Sequence, residues 1–218
     1  MDTELDVLGI VSERLSAQGL AYMLTGSFAL AYYATPRMTR DLDLVVEIAE
    51  RDVDALVQAF DADFYIDGDA ARAAIRSGTL FNLMHLSTGI KVDLIVRKSA
   101  EYREAEFARR QPVEFAGVRT WIVSVEDLVL CKPAARMNDT SVEVAALVAR
   151  RHREMSSTER MRAAAASFEV ARAIVESSLP PGLSRAARRL AVAKRFYAGE
   201  LPEAALLAHA RFGESAPP

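Results

Sequence analysis

Hydrophobic positions along the first fifty residues recur with two periods, one typical of helices and one typical of strands. Residues 4–18 carry leucine and valine at helical spacing and end at Gly19, a pattern that predicts an amphipathic helix. Residues 21–25 form a short apolar run, and residues 41–46 alternate aspartate with leucine before ending in two valines. Both segments are predicted to be strands, because apolar runs and period-two alternation of this length favour extended backbone.

Further along the chain, two pairs of short apolar segments predict hairpins. These pairs are 80–86 with 90–96 around Ser87-Thr88-Gly89, and 113–115 with 118–123 around Ala116-Gly117. A strand fragment is predicted at 64–65, and helices at 28–34, 52–60, 69–77, 99–110, from 124, at 156–179, 184–197 and 201–212. The expected fold class is therefore α/β, with a small mixed sheet, flanking helices and a C-terminal helical bundle.

The two parts of this predicted fold differ in charge. Residues 1–133 hold 14 Lys and Arg against 21 Asp and Glu, whereas residues 134–218 hold 13 against 9, so the net charges are −7 and +4. We expect an α/β domain over 1–133, a helical domain over 134–212 that could include an appended module from about 155, and a disordered tail at 213–218. The basic half would suit a polyanionic partner, or its arginines could simply be solvated.

Composition narrows the class of protein. The chain has 218 residues, of which 51% are hydrophobic, enough for a substantial core. No apolar run approaches the length of roughly 18 residues that a membrane span needs, and no basic-then-apolar segment opens the sequence. Cys131 is the single cysteine, which excludes an internal disulfide. We therefore expect a cytoplasmic protein with no membrane partner.

Asp41 and Asp43 lie two residues apart in a predicted strand, so their side chains share one face of the sheet. Adjacent carboxylates repel each other unless a cation lies between them, and hard divalent ions such as Mg²⁺ prefer oxygen ligands of this kind. The pair therefore predicts a divalent-metal site. The competing interpretation is a surface strand whose acids face solvent.

Gly26-Ser27 connects the first predicted strand to the helix at 28–34. Free backbone N–H groups and the helix dipole favour a phosphate at such a position. Ser27 is predicted to be the helix N-cap, and its hydroxyl could also contact a phosphate. A phosphate cradle joined by one helix to a pair of metal ligands is suited to nucleotide chemistry.

The ordered set of strand, Gly26-Ser27, helix and Asp41-Leu42-Asp43 resembles the signature of the nucleotidyltransferase superfamily, which includes DNA polymerase beta and kanamycin nucleotidyltransferase. Thirteen residues separate the serine from the first aspartate. The bacterial toxin–antitoxin and abortive-infection nucleotidyltransferases are most similar, and the resemblance covers roughly residues 5–132. It implies that Gly26 and Ser27 bind the nucleotide and that Arg40, in Thr39-Arg40, is a further phosphate contact. Arg40 could instead form a structural ion pair.

The superfamily carries a third carboxylate on a later strand, between two hydrophobic residues. Asp93, between Val92 and Leu94, matches that position. The resemblance implies that Asp93 is a metal ligand and accepts the proton of the attacking hydroxyl. The alternative is an ion pair with Lys91, which shares its face of the strand.

Glu126 to Lys132 also resembles toxin-type members, in which a lysine after a glutamate-aspartate-leucine helix start faces the nucleotide phosphates. Lys132 is predicted to bind nucleotide by that match. The chain then departs from the family, because Pro133 interrupts the helix and the usual Arg-Asp pair is missing. His85, His152 and His209 show no ligand spacing, and we interpret them as non-catalytic.

The resemblance implies an enzyme that transfers a nucleoside monophosphate from a nucleoside triphosphate to an acceptor hydroxyl and releases pyrophosphate. Two Mg²⁺ ions, or Mn²⁺, would be held by Asp41, Asp43 and Asp93. The acceptor could be a tRNA, a protein or a small molecule, and a cognate toxin or antitoxin could be a partner. The alternative is a nucleotide-binding or partner-binding protein with a degenerate site.

Overall fold

The computed structural model of the chain describes residues 3–34, 41–131 and 150–214. Its strands are β1 Ala21–Thr25, β2 Asp41–Glu47, β3 Phe64–Ile66, β4 Leu80–His85, β5 Lys91–Val96, β6 Gln111–Phe115 and β7 Val118–Ile122. Its helices are α1 Glu4–Ala17, α2 Gly26–Tyr33, α3 Val53–Phe60, α4 Gly68–Ser77, α5 Glu101–Ala108, α6 Val125–Cys131, α7 Ser157–Ser177, α8 Arg185–Tyr197 and α9 Glu203–Arg211. Residues 150–154 are also helical.

The strands form one mixed sheet in the order β3-β4-β5-β2-β1-β7-β6. β2 is parallel to β5 and β1 is parallel to β7, whereas the other neighbouring strands are antiparallel. β4 with β5 and β6 with β7 are the two predicted hairpins. The predicted α/β class, with a mixed sheet, flanking helices and C-terminal helices, is confirmed. None of the described helices is both long and apolar enough to cross a bilayer.

The start of α2 differs from the prediction. The helix begins at Gly26, and Thr25 is its N-cap, so the prediction that Ser27 is the N-cap is wrong. Gly26 has a φ of +70°, which lets the chain turn from β1 directly into the helix two residues earlier than expected. At the other end of the chain, the Glu214 N–H donates to the Arg211 carbonyl at 3.0 Å. The rest of the tail predicted to be disordered lies outside the described residues.

The main core fills the space between the sheet and helices α1, α2, α3, α4 and α7. Leu42, Leu44 and Val46 of β2 point into it and are fully buried, which confirms the alternation predicted for this strand. Met161 and Phe168 of α7 belong to the same core. The C-terminal helices therefore share apolar packing with the sheet, and the predicted domain boundary at 133/134 lies outside the described residues.

A second, smaller cluster packs the α8–α9 hairpin, formed by α8, residues 198–202 and α9, against β4. Met84 of β4 meets Tyr197 and Leu201 there. Met84 is the cross-strand neighbour of Lys91, so this packing lies on the face of the sheet opposite the main core. The hairpin thereby covers part of the face that carries the acids.

Glu4, in the first turn of α1, is a buried carboxyl group near α7. Its side chain is fully buried, and neither oxygen has a hydrogen-bond partner among the described residues. Burial raises the pKa of Glu4 from 4.5 to about 8, with a smaller contribution from the Glu169 carboxylate. Glu4 is therefore mainly protonated in the folded protein at pH 7 and ionised in the unfolded chain.

This difference makes stability depend on pH. Because the folded state retains the proton, the free energy of unfolding falls as the pH rises from about 4.5 through about 8. The loss from this one group is roughly 3 kcal/mol at pH 7. We expect Glu4→Gln to raise the free energy of unfolding by up to ~2 kcal/mol at pH 8 and by less at pH 5.5. Denaturant titration at both pH values measures the difference.

Glu13→Gln is the matched control, since Glu13 lies on the same helix and is exposed. Its effect on the free energy of unfolding should be small at both pH values, because the side chain is exposed. If the gain from Glu4→Gln were also the same at pH 5.5 and pH 8, a raised pKa of Glu4 would be refuted.

Candidate active site

The structure brings the three sequence-predicted acids to one face of the sheet. Parallel pairing of β2 with β5 puts Asp43 beside Asp93 and Asp41 beside Lys91. On the other side of β2, Thr25 at the end of β1 is paired with Asp43. Residues 41, 43, 91 and 93 are thus neighbours within a small area, which we call the acidic face.

Gly26 is fitted closely against Asp43. A Cβ atom at position 26 would lie 1.8 Å from Asp43 Oδ2 and 2.8 Å from Asp43 Cβ. The φ of +70° is also a conformation that favours glycine. Two independent constraints therefore require glycine here, and together they place the N-terminus of α2 against a carboxylate of the acidic face.

The Lys91 ammonium group lies among the carboxylates. Its Nζ atom is 3.4 Å from Asp41 Oδ2, 3.2 Å from Asp93 Oδ2 and 3.2 Å from Glu200 Oε2. Burial lowers the pKa of Lys91, but the charges of Asp93 and Asp41 and the hydrogen bonds to Asp93 and Glu200 outweigh burial and raise it above its ordinary value. Lys91 is therefore a buried, charged lysine at neutral pH.

Sequence reasoning missed two residues of this site. Asn82 donates a hydrogen bond from Nδ2 to Asp93 Oδ1 at 2.6 Å, and Glu200 reaches Lys91 from the α8–α9 hairpin. Asn82 could have been predicted from the β4–β5 hairpin, because a tight turn at residues 86–89 makes position 82 the cross-strand neighbour of position 93. Glu200 had no such signal, since it lies 109 residues from Lys91 along the chain.

The three acids of the acidic face have the ligand chemistry of a divalent-cation site. Asp41, Asp43 and Asp93 supply carboxylate oxygens on one face, the ligand chemistry that Mg²⁺ and Mn²⁺ prefer. Among the described residues, no three His, Cys, Asp or Glu side chains are already grouped to hold an ion. The three carboxylates are ligands of the kind that a divalent cation takes. In the structure, the Lys91 ammonium group lies between Asp41 and Asp93.

The predicted phosphate contacts divide into two groups. Gly26 and Ser27 are the first two residues of α2 and lie beside the acidic face. Arg40 and Lys132 lie outside the described residues. Asp127, which precedes Lys132 by five residues in the same motif, has a structural role at the start of α6. It accepts hydrogen bonds from Arg109 and Ser124, which lower its pKa to about 2.

Two arginines of the basic helix α8 bond to the protein itself. Arg188 donates to the Glu176 carbonyl at 3.4 Å, and Arg189 donates to the carbonyls of Phe212 and Ser87, each at 3.1 Å. These two arginines of α8 therefore hydrogen-bond to backbone carbonyls of the neighbouring helices and of the β4–β5 turn. The positive charge of α8 is not all available to a polyanionic partner.

The histidines are not part of the acidic face as the structure describes it. His85 Nδ1 lies 2.9 Å from Thr88 Oγ1, within the β4–β5 turn. His209 Nδ1 lies 2.9 Å from the Leu86 carbonyl, and burial together with the charge of Arg189 lowers the pKa of His209 to about 4. Both of these side chains brace the turn that leads into β5.

Comparisons with known proteins give distant structural likenesses. No protein-family model matches the chain, and no curated protein matches it. It is similar to the lincomycin-bound structure of the lincosamide antibiotic adenylyltransferase LnuA, with 9% identity, 67% of this chain and 94% of that chain covered, and a TM-score of 0.42. It is also similar to TM1012 of Thermotoga maritima, provisionally described as a nucleotidyltransferase, with 18% identity, 58% and 81% covered, and a TM-score of 0.41. Neither likeness is close enough to assign a family or an activity.

The fit between Gly26 and Asp43 can be tested by stability measurements. We expect Gly26→Ala to lower the free energy of unfolding by clearly more than the roughly 1–2 kcal/mol that a left-handed backbone alone costs an alanine, because the new methyl group collides with Asp43. Gly19→Ala is the matched control, since Gly19 has a φ of +69° and nothing lies within 4 Å of the position that its new methyl group would take. Urea denaturation of both variants gives the comparison.

A double variant isolates the contact. Asp43→Ala removes two of the three close contacts, so the cost of Gly26→Ala should be smaller in the Asp43→Ala background than in the wild-type protein. Equal costs for Gly26→Ala and Gly19→Ala would mean that the collision with Asp43 does not limit position 26.

Proposed function

We propose that this chain is a nucleotidyltransferase that moves a nucleoside monophosphate from a nucleoside triphosphate to an acceptor hydroxyl. The observation that carries the proposal is the close fit of Gly26 against Asp43, with Asp93 in register beside it. This arrangement brings a helix N-terminus, which favours phosphate, to a group of carboxylates, which favours cations. A nucleoside triphosphate with its counter-ions needs both features together.

In the proposed reaction, the acceptor oxygen attacks the α-phosphorus, and the bond from that phosphorus to the bridging oxygen breaks. Pyrophosphate leaves with the electron pair of that bond, and Asp93 accepts the proton of the acceptor hydroxyl. Asn82 donates to one oxygen of Asp93 at 2.6 Å, which fixes the orientation of the carboxylate. A base held in this way loses little freedom when the acceptor arrives.

The triphosphate would be bound by the first turn of α2. Gly26 and Ser27 are the first two residues of that turn, where the helix N-terminus favours phosphate, and the missing side chain of Gly26 allows close approach. Arg40 and Lys132 are proposed as further phosphate contacts from the sequence match. Asp41, Asp43 and Asp93 would hold Mg²⁺ or Mn²⁺, which when bound neutralises charge on the phosphate oxygens.

The alternative is a nucleotide-binding or partner-binding protein without turnover. The ion pair of Lys91 with Asp41 and Asp93 favours it, because these contacts satisfy two acids without a metal. Calorimetry with ATP and Mg²⁺, combined with an assay for pyrophosphate, separates the two functions. Binding without pyrophosphate release in the presence of any acceptor would support the binding protein.

The acceptor is proposed only as a class: a hydroxyl of RNA, protein or a small molecule. Incubation of cell extract with each labelled nucleoside triphosphate would identify both the nucleotide and the acceptor from the product that becomes labelled. A labelled protein that is encoded as a partner of this chain would support the toxin–antitoxin role. If no nucleotide labelled any component, transferase activity would be contradicted.

The role of Asp93 can be tested once a labelled product is known. We expect Asp93→Asn to lower single-turnover transfer by about 10²–10⁴-fold, because the proton acceptor is lost. Nucleotide affinity should change by less than about threefold, since the triphosphate is held mainly by other groups. Rapid-quench transfer assays and equilibrium nucleotide binding measure the two quantities.

Asp54→Asn is the matched control, because Asp54 pairs with Arg72 at 2.7 Å on the outer surface and its side chain is 86% exposed. It should leave both transfer and nucleotide affinity unchanged. Weakened nucleotide binding with normal transfer in Asp93→Asn would make Asp93 a ligand or ion-pair partner and not the base.

A further inference from the structure

The Lys91 ammonium has more carboxylate partners than a structural ion pair requires. Two of its partners, Asp41 and Asp93, are on the strands of the acidic face, and the third, Glu200, comes from the α8–α9 hairpin. The Lys91 side chain is 7% exposed, whereas that of Glu200 is 38% exposed. One buried cation thus connects two proposed metal ligands to a third, more accessible carboxylate.

Glu200 is held in place by its own backbone and by its neighbours. It follows Gly199, which has a φ of +83°, and its N–H donates to the Tyr197 carbonyl at 3.0 Å. Tyr197 and Leu201 on either side of it are buried in the cluster around Met84. Since Met84 is the cross-strand neighbour of Lys91, this packing fixes Glu200 next to the lysine.

The α8–α9 hairpin is also anchored to the turn that precedes Lys91. Arg189 donates to the Leu86 and Ser87 carbonyls, and His209 Nδ1 lies 2.9 Å from the Leu86 carbonyl. A Cβ atom at Gly89 would lie 2.8 Å from the His209 ring, which shows how closely the hairpin fits the turn. Glu200 and Lys91 are therefore attached to elements that are braced against each other.

A divalent ion bound by Asp41 and Asp93 would compete with Lys91 for the same oxygens. Two cations that bind the same carboxylate oxygens lie close together and repel each other strongly in a partly buried site, so they cannot share these ligands. Lys91 must then give up both aspartates, and its flexible stem needs another anion within reach. Glu200 is already in contact with the ammonium and is not on either strand of the acidic face.

We propose that Lys91 is a built-in counter-ion that holds the acidic face together without metal, and that Glu200 receives its ammonium group when a divalent ion binds. The inference rests on the proposed function, because it assumes that Asp41 and Asp93 are metal ligands. Lys91 and Glu200 act as positioning residues for metal binding. The C-terminal helices therefore contribute to metal affinity without supplying a ligand.

The test is the affinity of the full-length, nucleotide-free protein for Mn²⁺ alone, measured by electron paramagnetic resonance at fixed pH and ionic strength. Lys91→Met should bind Mn²⁺ at least about tenfold more tightly than the wild-type protein, because the competing cation is gone. Glu200→Gln should bind about tenfold more weakly, because Lys91 then keeps only the two aspartates of its three described carboxylate partners. Loss of Mn²⁺ binding in Asp43→Asn would assign the bound ion to the acidic face.

The double variant distinguishes this mechanism from a general effect of charge. In the Lys91→Met background, Glu200→Gln should change Mn²⁺ affinity by less than about threefold, since its effect acts through Lys91. Glu203→Gln is the matched control: Glu203 is on the same hairpin, but it pairs with Lys194 at 3.4 Å and should leave Mn²⁺ affinity unchanged. Thermal melting confirms that each variant is folded, and the exposed Glu200→Gln tests the proposal even if Lys91→Met does not fold.

The outcomes separate the inference from the proposed function. Mn²⁺ binding that is equal in the wild-type protein, Glu200→Gln and Lys91→Met would overturn the counter-ion role and leave the metal site standing. An equal effect of Glu200→Gln with and without Lys91 would also overturn it. Absence of Mn²⁺ binding in every variant would overturn the metal site itself, whereas binding only in Lys91→Met would support the counter-ion role in its strongest form.

Discussion

Repulsion between like charges on one face of the sheet is the constraint on which the site depends. Parallel pairing of β2 with β5 sets Asp43 beside Asp93, and the period of the strand adds Asp41 on the same side. The Lys91 ammonium group contacts three carboxylates, those of Asp41, Asp93 and Glu200, and Asp43 lies beside Asp93. A carboxylate excess of this size is stable only where water, cations or hydrogen-bond donors are close at hand. The structure supplies Asn82 and Lys91 as such donors.

The two faces of the sheet have different environments: one packs into the main core, and the other carries the charged side chains. One face of β2 presents Leu42, Leu44 and Val46 to the main core, and this burial fixes the register of the strand. A shift of β2 by one residue would move the aspartates into the core and the leucines to the site. Apolar packing therefore also fixes the positions of the charged side chains. The N-terminus of α2 fits the same alignment, since the absence of a side chain at Gly26 leaves room for the Asp43 carboxylate.

Much of this organisation could be predicted from sequence because it is local. Period-two alternation predicted the shared face of Asp41 and Asp43, and the short connection at residues 87–89 predicted the β4–β5 hairpin. The start of α2 was placed wrongly because a glycine with positive φ can begin a helix where an ordinary residue would not. Glu200 was beyond sequence reasoning, since its position depends on how the α8–α9 hairpin packs on Met84, and no local pattern encodes such packing.

The pairing of Lys91 with Glu200 has a consequence for the order of events during synthesis. The two residues are 109 positions apart, so their contact is among those that form only after a long loop has closed. The strands that the structure describes are complete by residue 122, almost eighty residues before Glu200 leaves the ribosome. A growing chain can therefore assemble the aspartates and Lys91 while it still lacks the carboxylate from the C-terminal helices. The finished arrangement of charges therefore requires the α8–α9 hairpin, and it forms only when that hairpin has packed against β4.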